Sequence, residues 1–141
     1  MIRAYEPADL ESMLEVWRRS SDLAHPFLSA EFQDAQAVQI RDVYMPLAET
    51  CVCLDGDRLV GFIALVGDEV GGLFVDPDCH GRGFGRALMD HARTLREHLE
   101  VEVFEENAIG RRFYGRYGFE EQSRGMHEES GFPVLRLALP G

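Results

Sequence analysis

A chain of 141 residues with 14 basic and 25 acidic side chains, a formal net charge of −11, lacks the basic footprint that nucleic acid requires, and we expect none as a partner. Apolar residues at 45% and charged ones at 28% suit a globular domain, and the length allows one core, so residues 1–141 are read as a single domain. No apolar run approaches the ~20 residues that span a bilayer and no signal-like stretch opens the chain, so no membrane contact and a cytoplasmic location are expected. The acidic balance would favour cationic acceptors such as amines, although solubility explains it equally well. Cys51, Cys53 and Cys79 have no metal-ligand spacing and are read as free thiols in a reducing compartment, with no metal.

Residues 2–4 read as a first strand. Pro7 suits a first helical turn, and Leu10, Met13, Leu14 and Trp17 then recur at helical spacing, which makes Trp17 a core residue. Residues 21–32 link to a second helix with Ser29 as its N-cap. Its inner face is predicted to carry Gln36, Ile40, Val43, Tyr44 and Leu47, with Pro46 at its end. Residues 51–54 and 59–66 form a hairpin about an Asp-Gly turn, and 69–75 a further strand. Gly71-Gly72 inside that strand predicts a bulge or a close backbone approach. A helix over 83–97, a strand over 99–104, a helix over 108–117 closed by Gly118, and strands over 119–124 and 134–139 complete the chain. The order βααβββαβαββ implies an α/β fold with a mixed, mostly antiparallel sheet and helices on both faces.

The chain is organised around the segment from Leu73 to Met89: a buried strand, a Pro-stopped turn, a glycine-rich loop and a helix start. Gly81, Gly83 and Gly85 remove side chains where the backbone must turn or approach a ligand. Free amides at a helix N-terminus form an anion site, and Arg82 and Arg86 add charge. The reading is a pocket for phosphate or pyrophosphate, against the alternative of a plain turn. The dinucleotide fingerprint fails in both registers, because Arg86 or Leu88 stands where its third glycine belongs, and a nucleotide-dependent oxidoreductase is disfavoured.

The loop His80-Gly81-Arg82-Gly83-Phe84-Gly85 resembles the [Q/R]-x-x-G-x-[G/A] loop of the GNAT superfamily of N-acetyltransferases, with His at a position more often Gln or Arg. The block from Asn107 through Tyr114 to Gly118-Phe119 resembles a second motif of that superfamily, in the right order and separation. The segments Trp17 to Ser20, His25 to Phe32 and Gly131 to Leu135 are similar to small bacterial members of the YjaB type. The resemblance implies the acyl-CoA N-acyltransferase fold, acetyl-CoA as co-substrate, and acetyl transfer to a primary amine of a small molecule or peptide by direct attack in a ternary complex. It assigns the coenzyme to the backbone of Leu73, Phe74 and Val75, to His80, Gly81, Arg82, Gly83, Phe84, Gly85 and Arg86, and to Asn107 and Tyr114. Tyr114 is the implied acid at the coenzyme sulfur, since a phenol with pKa ~10 is protonated at neutral pH. Glu102 and Glu69 are the candidate bases, each equally readable as a solvated carboxylate. His25, Phe27 and Trp17 are the candidate acceptor-site residues, with His25 in a positioning or proton-relay role. A non-catalytic acyl-CoA sensor on the same fold is the alternative, and a monomer or homodimer is expected.

Overall fold

In the computed structural model, which describes residues 1–140 and all their side chains but that of Tyr44, seven strands build one sheet. They are β1 (Ile2–Ala4), β2 (Glu49–Asp55), β3 (Arg58–Val66), β4 (Glu69–Val75), β5 (Glu100–Phe104), β6 (Glu120–Met126) and β7 (Pro133–Ala138). Their order is β1-β2-β3-β4-β5-β7-β6, antiparallel throughout except for the parallel pair β4–β5. Four longer helices flank it: α1 (Leu10–Ala24), α2 (Ala30–Gln39), α3 (Phe84–Leu95) and α4 (Ala108–Tyr117). The fold class and element order match the sequence reading. No helix among the described residues is long and apolar enough to cross a membrane.

Strand alternation divides the core between two faces. Met13, Val16 and Trp17 of α1 pack on Val52, Leu59 and Phe62 on one side. On the other side, Leu88, Met89 and Ala92 of α3 and Tyr114 of α4 cover Ile63, Leu65, Val101 and Val103. Each large apolar side chain so buried contributes roughly 1.5–3 kcal/mol. Cys51, Cys53 and Cys79 are buried free thiols within this second layer.

The second helix departs from its predicted face. Ile40 packs inward as predicted, but Val43 and Leu47 are 55% and 71% exposed, and Ala37 and Met45 pack inward in their place, with Gln33 buried. A π-helical turn over Ile40–Tyr44 widens the backbone after α2, so a 3.6-residue period counted from Gln36 runs out of phase. Tyr44, also assigned to that face, lies outside the described side chains.

The predicted irregularity at Gly71 is a bulge: Ala64 faces Gly72 but Leu65 faces Val70, which leaves Gly71 unpaired. Pairing between β4 and β5 covers Glu69↔Glu100 and Val70↔Val101, and the strands diverge where the bulge bends β4. That divergence opens the sheet.

Candidate active site

A cavity of ≈ 840 Å³ lies in the gap between β4 and β5, with walls from α1, α3 and α4. The β4 wall presents backbone. Asp76 N–H donates to Val60 O at 2.7 Å, so by the antiparallel alternation Phe74 turns its amide to β3, whereas Leu73 and Val75 turn theirs across the gap.

The loop after β4 is anchored by a residue that the sequence reading missed. Asp76 is 2% exposed, and its Oδ2 accepts from Arg19 Nη1 and Arg58 Nη2, both at 2.7 Å. Its Oδ1 caps the short 3₁₀ turn Pro77–Cys79 by accepting from Asp78 N–H at 3.0 Å. The Asp-Pro pair at a strand end was the available signal for that cap; the two arginines lie far away in sequence. His80 donates from Nε2 to Val75 O at 3.0 Å, which ties the loop back to the strand.

Gly81 and Gly83 sit at φ +82° and +87°, and Gly83 is the N-cap of α3. The first helical bond is Ala87 N–H to Gly83 O at 3.0 Å, and the amides of Gly81 through Arg86 donate to no acceptor among the described residues. Six consecutive free amides at a helix N-terminus constitute an anion cradle. At Gly85 space is the constraint, since a Cβ there would stand 3.2 Å from the Phe113 ring. Arg82 donates to Asp55 at 3.0 Å and stacks on Phe84, while Arg86 lies over the Tyr117 ring, so both guanidinium groups flank the cradle.

Asn107 caps α4, its Oδ1 accepting from Gly110 N–H at 2.8 Å. Two turns on, Tyr114 packs edge-on against Phe113 and Phe119 and is 7% exposed. Burial pushes its phenol well above the ordinary value, so the hydroxyl is neutral. It hydrogen-bonds to nothing among the described residues. Thr50 Oγ1 is the sole fully enclosed side-chain nitrogen or oxygen without a hydrogen-bond partner among the described residues, so the Tyr114 hydroxyl is accessible from the cavity that it lines.

The opposite side of the cavity is made of side chains from distant segments. His25 is half-buried, and burial pushes its imidazole down to about 4, so the ring is neutral. Its Nε2 accepts from Asn107 Nδ2 at 3.2 Å and its Nδ1 meets Ser21 Oγ at 3.1 Å, so both ring nitrogens are engaged. Phe27 does not line the cavity; it stands behind His25 in an aromatic group with Phe104 and Phe132. Trp17 is both core, at 4% exposure, and cavity wall. Glu69 and Glu102 also line the cavity and converge on Arg136, at 3.4 and 3.6 Å, together with Glu100 at 3.6 Å. Arg136, on β7, was not singled out from sequence, because it is brought to the carboxylates by strand order alone. Among the described residues no group of His, Cys, Asp and Glu is placed to hold a metal ion.

This arrangement of split strand pair, amide cradle and buried tyrosine coincides with a family match: the model of the acetyltransferase (GNAT) domain covers residues 46–121. The chain belongs to the GNAT acetyltransferases and is an N-acetyltransferase. The peptidyl-lysine N-acetyltransferase YjaB of Salmonella typhimurium is 35% identical over 142 residues, spanning 99% of this chain and 97% of that protein. The solution structure of apo-form YjaB from Escherichia coli superposes with a TM-score of 0.88 at 34% identity, covering 100% of this chain and 97% of that one. The PaiA N-acetyltransferase of Thermoplasma acidophilum, crystallised with coenzyme A, shares the fold at a TM-score of 0.80 and 18% identity, covering 96% of each chain.

Proposed function

We propose that this protein transfers an acetyl group from acetyl-CoA to the side-chain amine of a peptide lysine, by direct attack with both substrates bound. The observation that carries the reading is the neutral Tyr114 hydroxyl, free of protein partners, on a cavity with an amide cradle at one end and carboxylates at the other. The cradle fits the co-substrate, because the unpaired amides of Gly81 to Arg86 match a pyrophosphate's need for donors. Leu73 and Val75 amides, turned across the gap, suit the pantetheine arm and the acetyl carbonyl, where donors would act as an oxyanion hole. Asn107, Phe84 and Gly85 complete that wall.

Acetyl-CoA supplies an activated thioester, whose C–S bond is exchanged for the new C–N bond. One proton must leave the amine and one must reach the sulfur. Tyr114 Oη holds the second, since burial keeps the phenol protonated throughout the working pH range. A lysine amine is charged at neutral pH, with pKa ~10.4, so a proton acceptor is required. Glu69 and Glu102 take that role, directly or through water. Three carboxylates against one guanidinium leave this end net negative by two charges, which draws a cationic acceptor toward the cavity. The peptide lysine follows from this charge together with the activity named for the YjaB relatives.

The test is thiol release from acetyl-CoA in the presence of polyamines, amino acids, aminoglycosides, and peptides with a free N-terminus or an internal lysine. Release stimulated most by the lysine peptide supports the proposal. Stimulation confined to a small amine would replace the acceptor, and no stimulation by any amine would favour an acyl-CoA sensor.

A further inference from the structure

His25 and Asn107 stand 82 residues apart and meet across the cavity. The Asn107 Oδ1 is committed to Gly110 N–H at 2.8 Å, which fixes the carboxamide so that Nδ2 is the atom facing the ring. A ring nitrogen that accepts from Nδ2 carries no proton, so the imidazole proton sits on Nδ1 and is donated to Ser21 Oγ at 3.1 Å. Phe27 and Phe104 meet the ring edge-on at 5.7 and 5.1 Å and hold it in place. Glycine at 110 belongs to the same device, because a Cβ there would lie 2.5 Å from Asn107 Nδ2 and push the carboxamide away.

We infer that His25 is a positioning residue for acetyl transfer: its neutral ring holds the Asn107 carboxamide, and with it the first turn of the helix bearing Tyr114, against the C-terminus of α1. The inference rests on reading the cavity as the transfer site. Both ring nitrogens are spent on this link, so His25 neither relays a proton nor contacts the acceptor through one. Its hydrogen-bond and aromatic contacts are Ser21 of α1, Phe27 of the following loop, Phe104 of β5 and Asn107, none of which titrates, and its remaining side faces the cavity.

Two measurements on the full chain test this. Nitrogen-15 NMR of the imidazoles is expected to show His25 as the Nδ1–H tautomer, without titration between pH 8 and about 5. An Nε2–H tautomer, or titration near the ordinary value, overturns the inference whatever the activity proves to be. In turnover with acetyl-CoA and the best amine of the panel, His25→Gln keeps an acceptor oxygen for Asn107 and is expected within about threefold of wild type. His25→Phe strands the Nδ2 donor and is expected to lower kcat about tenfold. Equal loss in both variants, or no loss in either, contradicts a positioning role. If wild type acetylates nothing, the transferase reading fails while the tautomer still decides this one.

Discussion

The two ends of the cavity are built by different means. The proposed coenzyme end is backbone: the amides of one continuous segment from Leu73 to Arg86, shaped by glycines at positive φ and pinned by Asp76. The proposed acceptor end is side chain: His25, Phe104, Glu69, Glu102 and Arg136 arrive from the end of α1 and from β4, β5 and β7, four separate elements, and pair across them. A backbone site binds a constant ligand part such as a pyrophosphate and needs few specific side chains. A side-chain site can be altered one residue at a time, and under the proposed function that is where acceptor choice would reside.

That contrast is sharpened most by the residue at the junction. Tyr114→Phe removes one hydroxyl that bonds to no described residue, so kcat is expected to fall about a hundredfold with the melting temperature unchanged. Steady-state kinetics beside a thermal melt measures both, and unaltered kcat removes Tyr114 from the chemistry. On the acceptor side, burial holds His25 at about 4 against an ordinary 6.5. The unfolded chain therefore takes up a proton first as pH falls. Stability from this group is complete above pH 6.5 and is lost toward pH 4, by about 3 kcal/mol in total. Chemical denaturation across that window is expected to show a weaker pH dependence in His25→Gln than in wild type, and equal slopes would contradict the buried neutral ring.

The smaller effects separate the two ends. Gly83→Ala forces a Cβ onto a φ of +87° in otherwise open space, so the cost is conformational and falls on the cradle. The KM for acetyl-CoA is expected to rise about tenfold with kcat little changed. Glu102→Gln acts at the other end: the KM for a lysine peptide should rise a few-fold, more at low salt than at high, with the KM for acetyl-CoA unaffected. Because Glu69 remains as a second proton acceptor, kcat is expected to fall only a few-fold, and a far larger loss would make Glu102 the acceptor that matters.

The same contrast explains what could be read from the sequence. The cradle was legible because glycines, helix start and strand lie within one short segment, and so was the irregularity at Gly71. The Arg136 cluster and the His25–Asn107 link were not, because both depend on strands and helices that only the sheet order brings together. Tyr114 was located by resemblance, while its isolation from protein partners needed coordinates. The face beyond Ile40 was misread at Val43 and Leu47 because the π turn leaves no periodic trace in residues 40–44.

The most direct test is mass spectrometry of a peptide carrying one internal lysine and a blocked N-terminus, after incubation with acetyl-CoA and the wild-type protein. One acetyl group on the lysine Nε, formed far more slowly by Tyr114→Phe, is the result this account predicts. A peptide left unmodified while small amines or free N-termini are acetylated would contradict it.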